Sequence, residues 1–541
     1  MLSTKFSGFM ALLFVGAALH NGPASAAPRT ATSKGATPPR AEFRALWVDE
    51  YHAGIRNEEE AERLVNAARQ ANINALFVQV RGHADTLYTQ TQEPAYESES
   101  YDPNFDALEN IIKLAHRERI EVYAWLNATT EWHPRGVPKD SRHIFNSHGP
   151  AQTGVDDWLT RSPEGEARFP LGYLLDPGNP AAAGYIAGIF LNIVRHYAVD
   201  GIHFDFMRYP ESAKPLKRGS AVGYNSINLD RFRRLQRRQD TPAPDDPQWS
   251  DWRRRQVTQL VRRIYIESKE INPQIKVSAA VIAWDKPPTS EKDFDETQAS
   301  GWLYQDWHDW LKEGILDIVV PMNYARENQP ATREWFDGWI HWEKRHKHGR
   351  ALIIGIGAYL NPQDATLAQI GRARDRDGRH QADGVSLFSY AALAARRPRA
   401  RGASTPAAID AKIDPNQEGE IRDERVSFLS NGAPPQPPAF SEAVSVPEMK
   451  WIDHPKQGWL DGTVQNSDGF AVDGAIVTAR RVGLFSRRKR SVADGNGYFG
   501  FTQMRPGRYH VRVEAGPKKT GELSVRVVAG RVSKVELIQP N

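Results

Sequence analysis

The sequence predicts an α/β protein: a (β/α)8 barrel over residues 41–396, a linker over 397–455 and a small all-β sandwich over 456–541. Three observations carry this. Short β-rich runs alternate with helical stripes eight times between residues 41 and 396, the pattern of parallel strands joined by helices. The run Gly201 to Phe206 sets apolar Ile202, Phe204 and Phe206 against His203 and Asp205, as expected of a barrel strand covered by helices outside and bearing chemistry inside. Beyond residue 456 the helical stripes stop, and alternating strands separated by turn residues return. A chain of 541 residues is also too long for one core.

The barrel strands are expected at Phe43 to Val48, Ala75 to Val80, Glu121 to Leu126, Ile202 to Phe206, Lys276 to Val281, Asp317 to Val320 running on to Tyr324, Ala351 to Ile356, and Gly384 to Tyr390. Asn57 is a natural cap for the first helix, whose buried stripe is Ala61, Leu64, Val65 and Ala68. Leu108, Ile111, Ile112 and Ala115 repeat the stripe, and Asn179-Pro180 opens a third helix with proline where its missing donor is harmless. Val257, Leu260, Val261 and Ile264 mark a fourth, and Trp335, Trp339 and Trp342 one face of a later helix. The last unit, Ala391 to Arg397, is short.

At the N-terminus, Lys5, the apolar run Phe9 to Leu19 and Ala24-Ser25-Ala26 read as a signal peptide over residues 1–26, with a flexible leader over 27–40. The protein is therefore expected to be exported, periplasmic or secreted, without a membrane partner once the signal is removed. Cysteine is absent, so disulfides and thiolate metal sites are excluded. The 70 basic and 66 acidic residues nearly balance, which gives no electrostatic case for nucleic acid. Residues 397–455 lack periodicity and read mostly as linker, although Arg425 to Leu429 has the character to dock on the barrel. The basic turn Arg487 to Arg490 in the sandwich reads as solvated.

Alternation places a definite set of side chains at the strands' C-terminal rim, where barrel enzymes carry their sites. They are Trp47, Asp49 and Glu50; Gln79 and Arg81, with His83 and Asp85; Tyr123, Trp125 and Asn127; His203 and Asp205; Trp284 and Asp285; Asn323 and Tyr324; and Tyr359. No glycine-rich phosphate loop and no compelling metal-ligand spacing accompanies them, so neither a metal nor a cofactor is implied; His83 and His133 are the one pair able to meet in space. A rim of carboxylates, arginines and aromatics suits acetal cleavage, which needs one carboxyl to protonate the leaving oxygen and another to attack or to activate water. Asp205 is the first catalytic choice. The second is drawn from Asp85, Asp285, Asp49, Glu93 and Glu131, with Asp85 and Asp285 preferred. Arg81 and Arg208 would hold a carboxylate or bind an acidic substrate group, while Trp125, Trp284 and Tyr324 would stack on sugars and Asn127, His203 and Asn323 bind polar groups.

Phe43 to Val48, Asn74 to Arg81, Asp85-x-Leu87-Tyr88, Ala124 to Asn127, Leu175 to Pro180 and Val199 to Asp205, as an ordered set, resemble glycosyl hydrolase-like family ten. The resemblance covers residues 41 to 395 and implies an exported bacterial barrel acting on a polysaccharide, peptidoglycan glycan first. It carries Asp205, Arg81, Asp85, Asn127 and Tyr324 over as site positions. Members commonly show Asp-Asp-Tyr where this chain has Asp205-Phe206-Met207, so an adjacent second acid is lost. That departure keeps open a catalytically weak carbohydrate-binding protein on the same barrel. A metal-dependent deacetylase would instead require bound zinc. The C-terminal segment resembles carboxypeptidase regulatory-like domains through Gly474 to Val477, Asp494 to Phe499 and Pro506 to Tyr509.

Overall fold

Eight runs buried on both faces have no solvent side to offer, and in the computed structural model they close into a parallel barrel, β1-β11-β10-β9-β8-β7-β3-β2. These strands are β1 (Phe43–Val48), β2 (Ala75–Arg81), β3 (Glu121–Asn127), β7 (Gly201–Asp205), β8 (Lys276–Ile282), β9 (Ile318–Asn323), β10 (Ala351–Gly357) and β11 (Gly384–Phe388). The structure describes residues 40–133, 136–212, 219–394, 423–483, 487–514 and 522–539. The expected signal peptide and, apart from Arg40, the leader lie outside them. So do residues 395–422, the first part of the expected linker.

The helices are α1 (Glu58–Gln70), α2 (Ala107–Arg117), α3 (Ile144–His148), α4 (Pro180–His196), α5 (Ser226–Gln236), α6 (Pro247–Ile271), α7 (Glu291–Phe294), α8 (Trp307–Glu313), α9 (Pro330–His346), α10 (Gln363–Arg374) and α11 (Tyr390–Ala394). Asn57 caps α1 by accepting from the Glu60 amide, and Asn179 caps α4 with Pro180 in its first turn. Trp339 and Trp342 of α9 are buried as their spacing predicts, but Trp335, in the second turn, is 37% exposed and does not join them. The long insertion after β3 folds a small sheet of its own, β4 (Thr130–Trp132), β5 (Arg168–Phe169) and β6 (Gly172–Leu174), over one side of the rim.

His203 identifies the barrel interior. Its ring stacks on Phe77 at 4.2 Å, its Nε2 accepts from Trp47 Nε1 at 3.0 Å, and its Nδ1 lies 2.9 Å from Ser278 Oγ, which itself donates to the Ile202 carbonyl. The ring is therefore the Nδ1–H tautomer, and burial lowers its pKa to about 3. It is a neutral packing element on the barrel axis, fully buried, and does not reach the rim as a sugar ligand.

The expected linker is replaced, from residue 423 onward, by a strap packed on the barrel. Val426, Phe428, Leu429, Phe440, Met449 and Ile452 are buried in the barrel's own core cluster, with short helices α12 (Phe428–Asn431) and α13 (Lys450–Asp453). Glu42 donates its amide to Ser445 O, Asn72 and Asn74 donate to Phe440 O and Val444 O, and Arg44 lies 4.7 Å over the Phe440 ring. At the start of β9, Trp451 Nε1 donates to Asp317, which also takes Lys269 at 2.8 Å and Tyr265 at 3.0 Å.

The sandwich packs β12 (Gly458–Asn466), β15 (Tyr498–Met504) and β18 (Val532–Gln539) against β13 (Ile476–Arg481), β14 (Arg488–Val492), β16 (Gly507–Glu514) and β17 (Leu523–Val527). The three-stranded sheet rests on α6. There Trp459 meets Tyr265 at 6.2 Å, and a Cβ on Gly500 would fall 2.5 Å from Ile266. Arg231 forms a two-pronged pair with Asp473, both contacts 2.9 Å, at the edge of this contact.

Candidate active site

The barrel mouth is built by side chains one layer above His203 on the same strand faces. Trp47, Trp125, Tyr324, Tyr359 and Phe388 form its aromatic lining: Phe388 lies 5.6 to 6.3 Å from Trp47, Trp125, Tyr324 and Tyr359, mostly edge to face. Sequence reasoning did not single out Phe388, although its place two residues beyond Ser386 on β11 gives it the inward parity.

Asp205 ends β7 on this inward face, directly beside Asn127 of β3 in register and 8% exposed. Its Oδ1 accepts from the Phe206 amide at 2.7 Å, and Phe206 itself lies in the left-handed region at φ 48°. Burial raises the Asp205 carboxyl to about 6, against the lowering pull of Arg208, the Phe206 amide and Trp125. Arg208 is itself buried, with Nε and Nη1 lacking protein partners, and its guanidinium lies 4.4 Å over Phe206 and 5.9 Å from the Trp284 ring centre. No second carboxylate among the described residues contributes to the Asp205 shift.

Asn127 is held by Trp125 Nε1, which donates to its Oδ1 at 3.1 Å, while its Nδ2 donates to Gly82 O at 3.3 Å. Asp49, two residues above Trp47 on β1, accepts from Ser389 Oγ at 2.9 Å and meets His52 Nδ1 at 2.5 Å. Burial pushes the Asp49 carboxyl up, but His52 and Ser389 outweigh it and hold the group below its ordinary value, ionised. Beside it the Glu50 carboxyl is buried with neither oxygen hydrogen-bonded and raised well above the carboxylate range, by burial first and then by Asp85 and Asp49. A Cβ at Gly82 would fall 1.6 Å from Glu50 Oε1, so only glycine leaves room for that carboxyl.

Other expected site residues are brought elsewhere. A bulge between Gln79 and Arg81 sets Arg81 opposite Leu126, on the helix-facing side of β3. There it forms a buried two-pronged pair with Glu93, joined by Tyr185 of α4 at 2.6 Å, and does not serve Asp205. Asn323 has the outward parity of β9, and its Nδ2 donates to Glu343 of α9 at 2.9 Å. Glu343 is raised to about 8 by burial. Asp285 lies beyond β8 with its Oδ2 accepting from the Gln298 amide and its carbonyl accepting from Trp339 Nε1, so it braces the turn Gln298–Trp302. Asp85 is buried and raised to about 6 by burial, its oxygens accepting from the His83 and Glu97 amides. It lines a cavity of about 150 Å³ with Trp132, Lys139 and His143, apart from Asp205. Glu131, in β4, is fully buried and raised to about 8, by burial and then Asp157. His83 and His133 do approach, with ring centres 5.7 Å apart, but no group of three or more metal-ligating side chains forms among the described residues.

With this geometry in place, comparison with known proteins is informative. Residues 460–538 match the carboxypeptidase regulatory-like domain. Glycosyl hydrolase YngK of Bacillus subtilis is 25% identical over 345 residues, 59% of this chain and 61% of that protein. Glycosyl hydrolase DigH of Escherichia coli K12 is 27% identical over 306 residues, 54% of this chain and 63% of that protein. The chain thus spans less than two thirds of the length of either relative. Among solved structures, the glycoside hydrolase domain of PgaB (BpsB) from Bordetella bronchiseptica aligns with 15% identity and a TM-score of 0.46, covering 70% of this chain and 97% of that one. Residues 42–366, more than half of the chain, match the family described as Glycosyl hydrolase-like 10, and the protein belongs to that family.

Proposed function

We propose that the protein is an exported glycoside hydrolase that cleaves glycosidic bonds in a polysaccharide, bacterial peptidoglycan glycan first, with Asp205 as its general acid. The observation that carries this is Asp205 itself: an inward carboxyl in an aromatic mouth that keeps its proton up to a pH of about 6. Such a group can protonate a leaving glycosidic oxygen near neutral pH. The unpartnered nitrogens of Arg208 would receive an acidic group of the glycan, and Trp125, Tyr324 and Trp284 would line sugar faces. Asp49, kept ionised, is the residue we assign to activate water. If the two carboxyls stand roughly 6.5 to 9.5 Å apart, with a water between them, the reaction would invert the anomeric carbon.

Phe206, which stands where the family's members commonly carry a second adjacent acid, also supports a second reading, a protein that binds wall glycan without cutting it. Incubation with purified peptidoglycan, with and without its stem peptides, followed by mass spectrometry of the soluble fraction separates the two. Glycan fragments with new reducing ends are expected. Retention on the polymer with no fragments would favour binding alone.

A further inference from the structure

Register in the sandwich gathers an unusual density of positive charge on one face. On the four-stranded sheet, Val477, Ala479, Tyr509, Val511, Val513 and Val527 point into the sandwich core. The alternate residues must then point outward. Cross-strand pairing sets Arg488 beside Arg480, Arg490 beside Thr478 and Thr478 beside Arg512, while Arg508 lies beside Arg526. Six arginines therefore share one outward face, five exposed and Arg512 half-buried. Two acids answer them: Glu514 pairs with Arg490 at 3.0 Å and Arg488 at 3.8 Å, and Glu522 takes His510 at 2.9 Å. The other sheet is the one seated on α6, so the bulk of this face is turned away from the barrel, while its β14 edge meets α6 where Gln259 donates to Val492 O at 3.1 Å. Residues Arg488–Arg490, expected as a solvated basic turn, instead belong to the edge strand β14, where Arg488 and Arg490 border this cationic face and Lys489 turns inward to donate to Thr502 O at 2.8 Å.

We propose that this face docks on an anionic phospholipid surface, its guanidiniums taking lipid phosphates. Three features favour lipid over a polymer strand. The face is an open sheet, which suits a planar partner. It carries no Phe, Tyr or Trp among the described residues on which a sugar ring could stack. Val482 and Val492, 49% and 42% exposed, flank the arginines, giving apolar contact at headgroup depth. No described helix is long and apolar enough to cross a membrane, so the association would be peripheral, electrostatic and salt-sensitive. It departs from the expectation of no membrane partner and stands independently of the proposed hydrolase activity.

The test is co-sedimentation of the full chain with vesicles of phosphatidylcholine alone and of phosphatidylcholine with one third phosphatidylglycerol, at low and high salt. The expected result is sedimentation with the anionic vesicles only, released by salt. It should be lost in an Arg480→Glu, Arg490→Glu, Arg508→Glu, Arg512→Glu variant and reduced in the corresponding glutamine variant, which guards against misfolding of the first. Arg117→Glu, Arg168→Glu and Arg376→Glu together, exposed positions on the barrel unit, should leave binding intact. Equal retention on neutral vesicles, unchanged binding by the sandwich variants, no sedimentation, or binding to sacculi but not to vesicles would each overturn the proposal.

Discussion

The proposed chemistry turns on one proton, that of Asp205. With a pKa raised to about 6, the carboxyl is protonated below that pH and ionised above it. A general acid in this state should give a kcat/KM that falls tenfold per pH unit above about 6. A nucleophile or base would give the opposite slope, so a pH–rate profile distinguishes the roles. Glu343 makes a parallel prediction for stability. Its pKa is raised from 4.5 to about 8, so its contribution is fully present below pH 4.5 and is lost as pH rises toward 8. By pH 7 the loss is of the order of 3 kcal/mol, because one pKa unit is worth about 1.4 kcal/mol. Glu343→Gln keeps the shape and can keep the hydrogen bond to Asn323, so thermal melts should show it more stable than the parent at pH 7 and less pH-dependent.

At the scale of elements, the barrel strands were legible because period-two and period-3.6 patterns survive in any sequence that must bury one face. Asp205 was legible for the same reason: parity alone puts it inside with His203. Parity failed wherever the backbone departed from it. The bulge before Arg81 turned that side chain toward α4, and no composition cue marks a bulge in Ala75–Arg81. Asn323 and Asp285 each adjoin another rim candidate, Tyr324 and Trp284, and alternation cannot face both members of a pair inward: Asn323 points outward to Glu343, and Asp285 lies in the loop after β8. Residues 423–455 were unreadable because a strap held by scattered contacts needs no period; only Arg425 to Leu429 showed docking character. That strap carries stability: Leu429, fully buried against the barrel, should cost about 2–5 kcal/mol on replacement by alanine, measured by denaturant unfolding.

Across the whole molecule, residues 41–541 cluster as one unit, and the sandwich is bonded to the barrel at several points. Asn496 donates to Pro180 O at 2.9 Å, Thr502 donates to Glu313 O at 2.6 Å, and Lys534 pairs with Glu270 at 2.5 Å. A sandwich held this way should melt together with the barrel. Asp473→Ala leaves the buried Arg231 without its two-pronged partner, and should lower the melting temperature of a single joint transition. The penalty for stranding a buried charge is about 3–5 kcal/mol. Two separated transitions in the parent protein would show that the interface does not couple the parts.

The central claim is that the Asp205 carboxyl donates the proton that breaks a glycosidic bond. Turnover of peptidoglycan glycan by Asp205→Asn, scored as new reducing ends with folding checked by circular dichroism, tests it most directly. A loss of about 10²- to 10⁴-fold with the fold intact is the predicted result. Unchanged turnover by the folded variant would contradict the account.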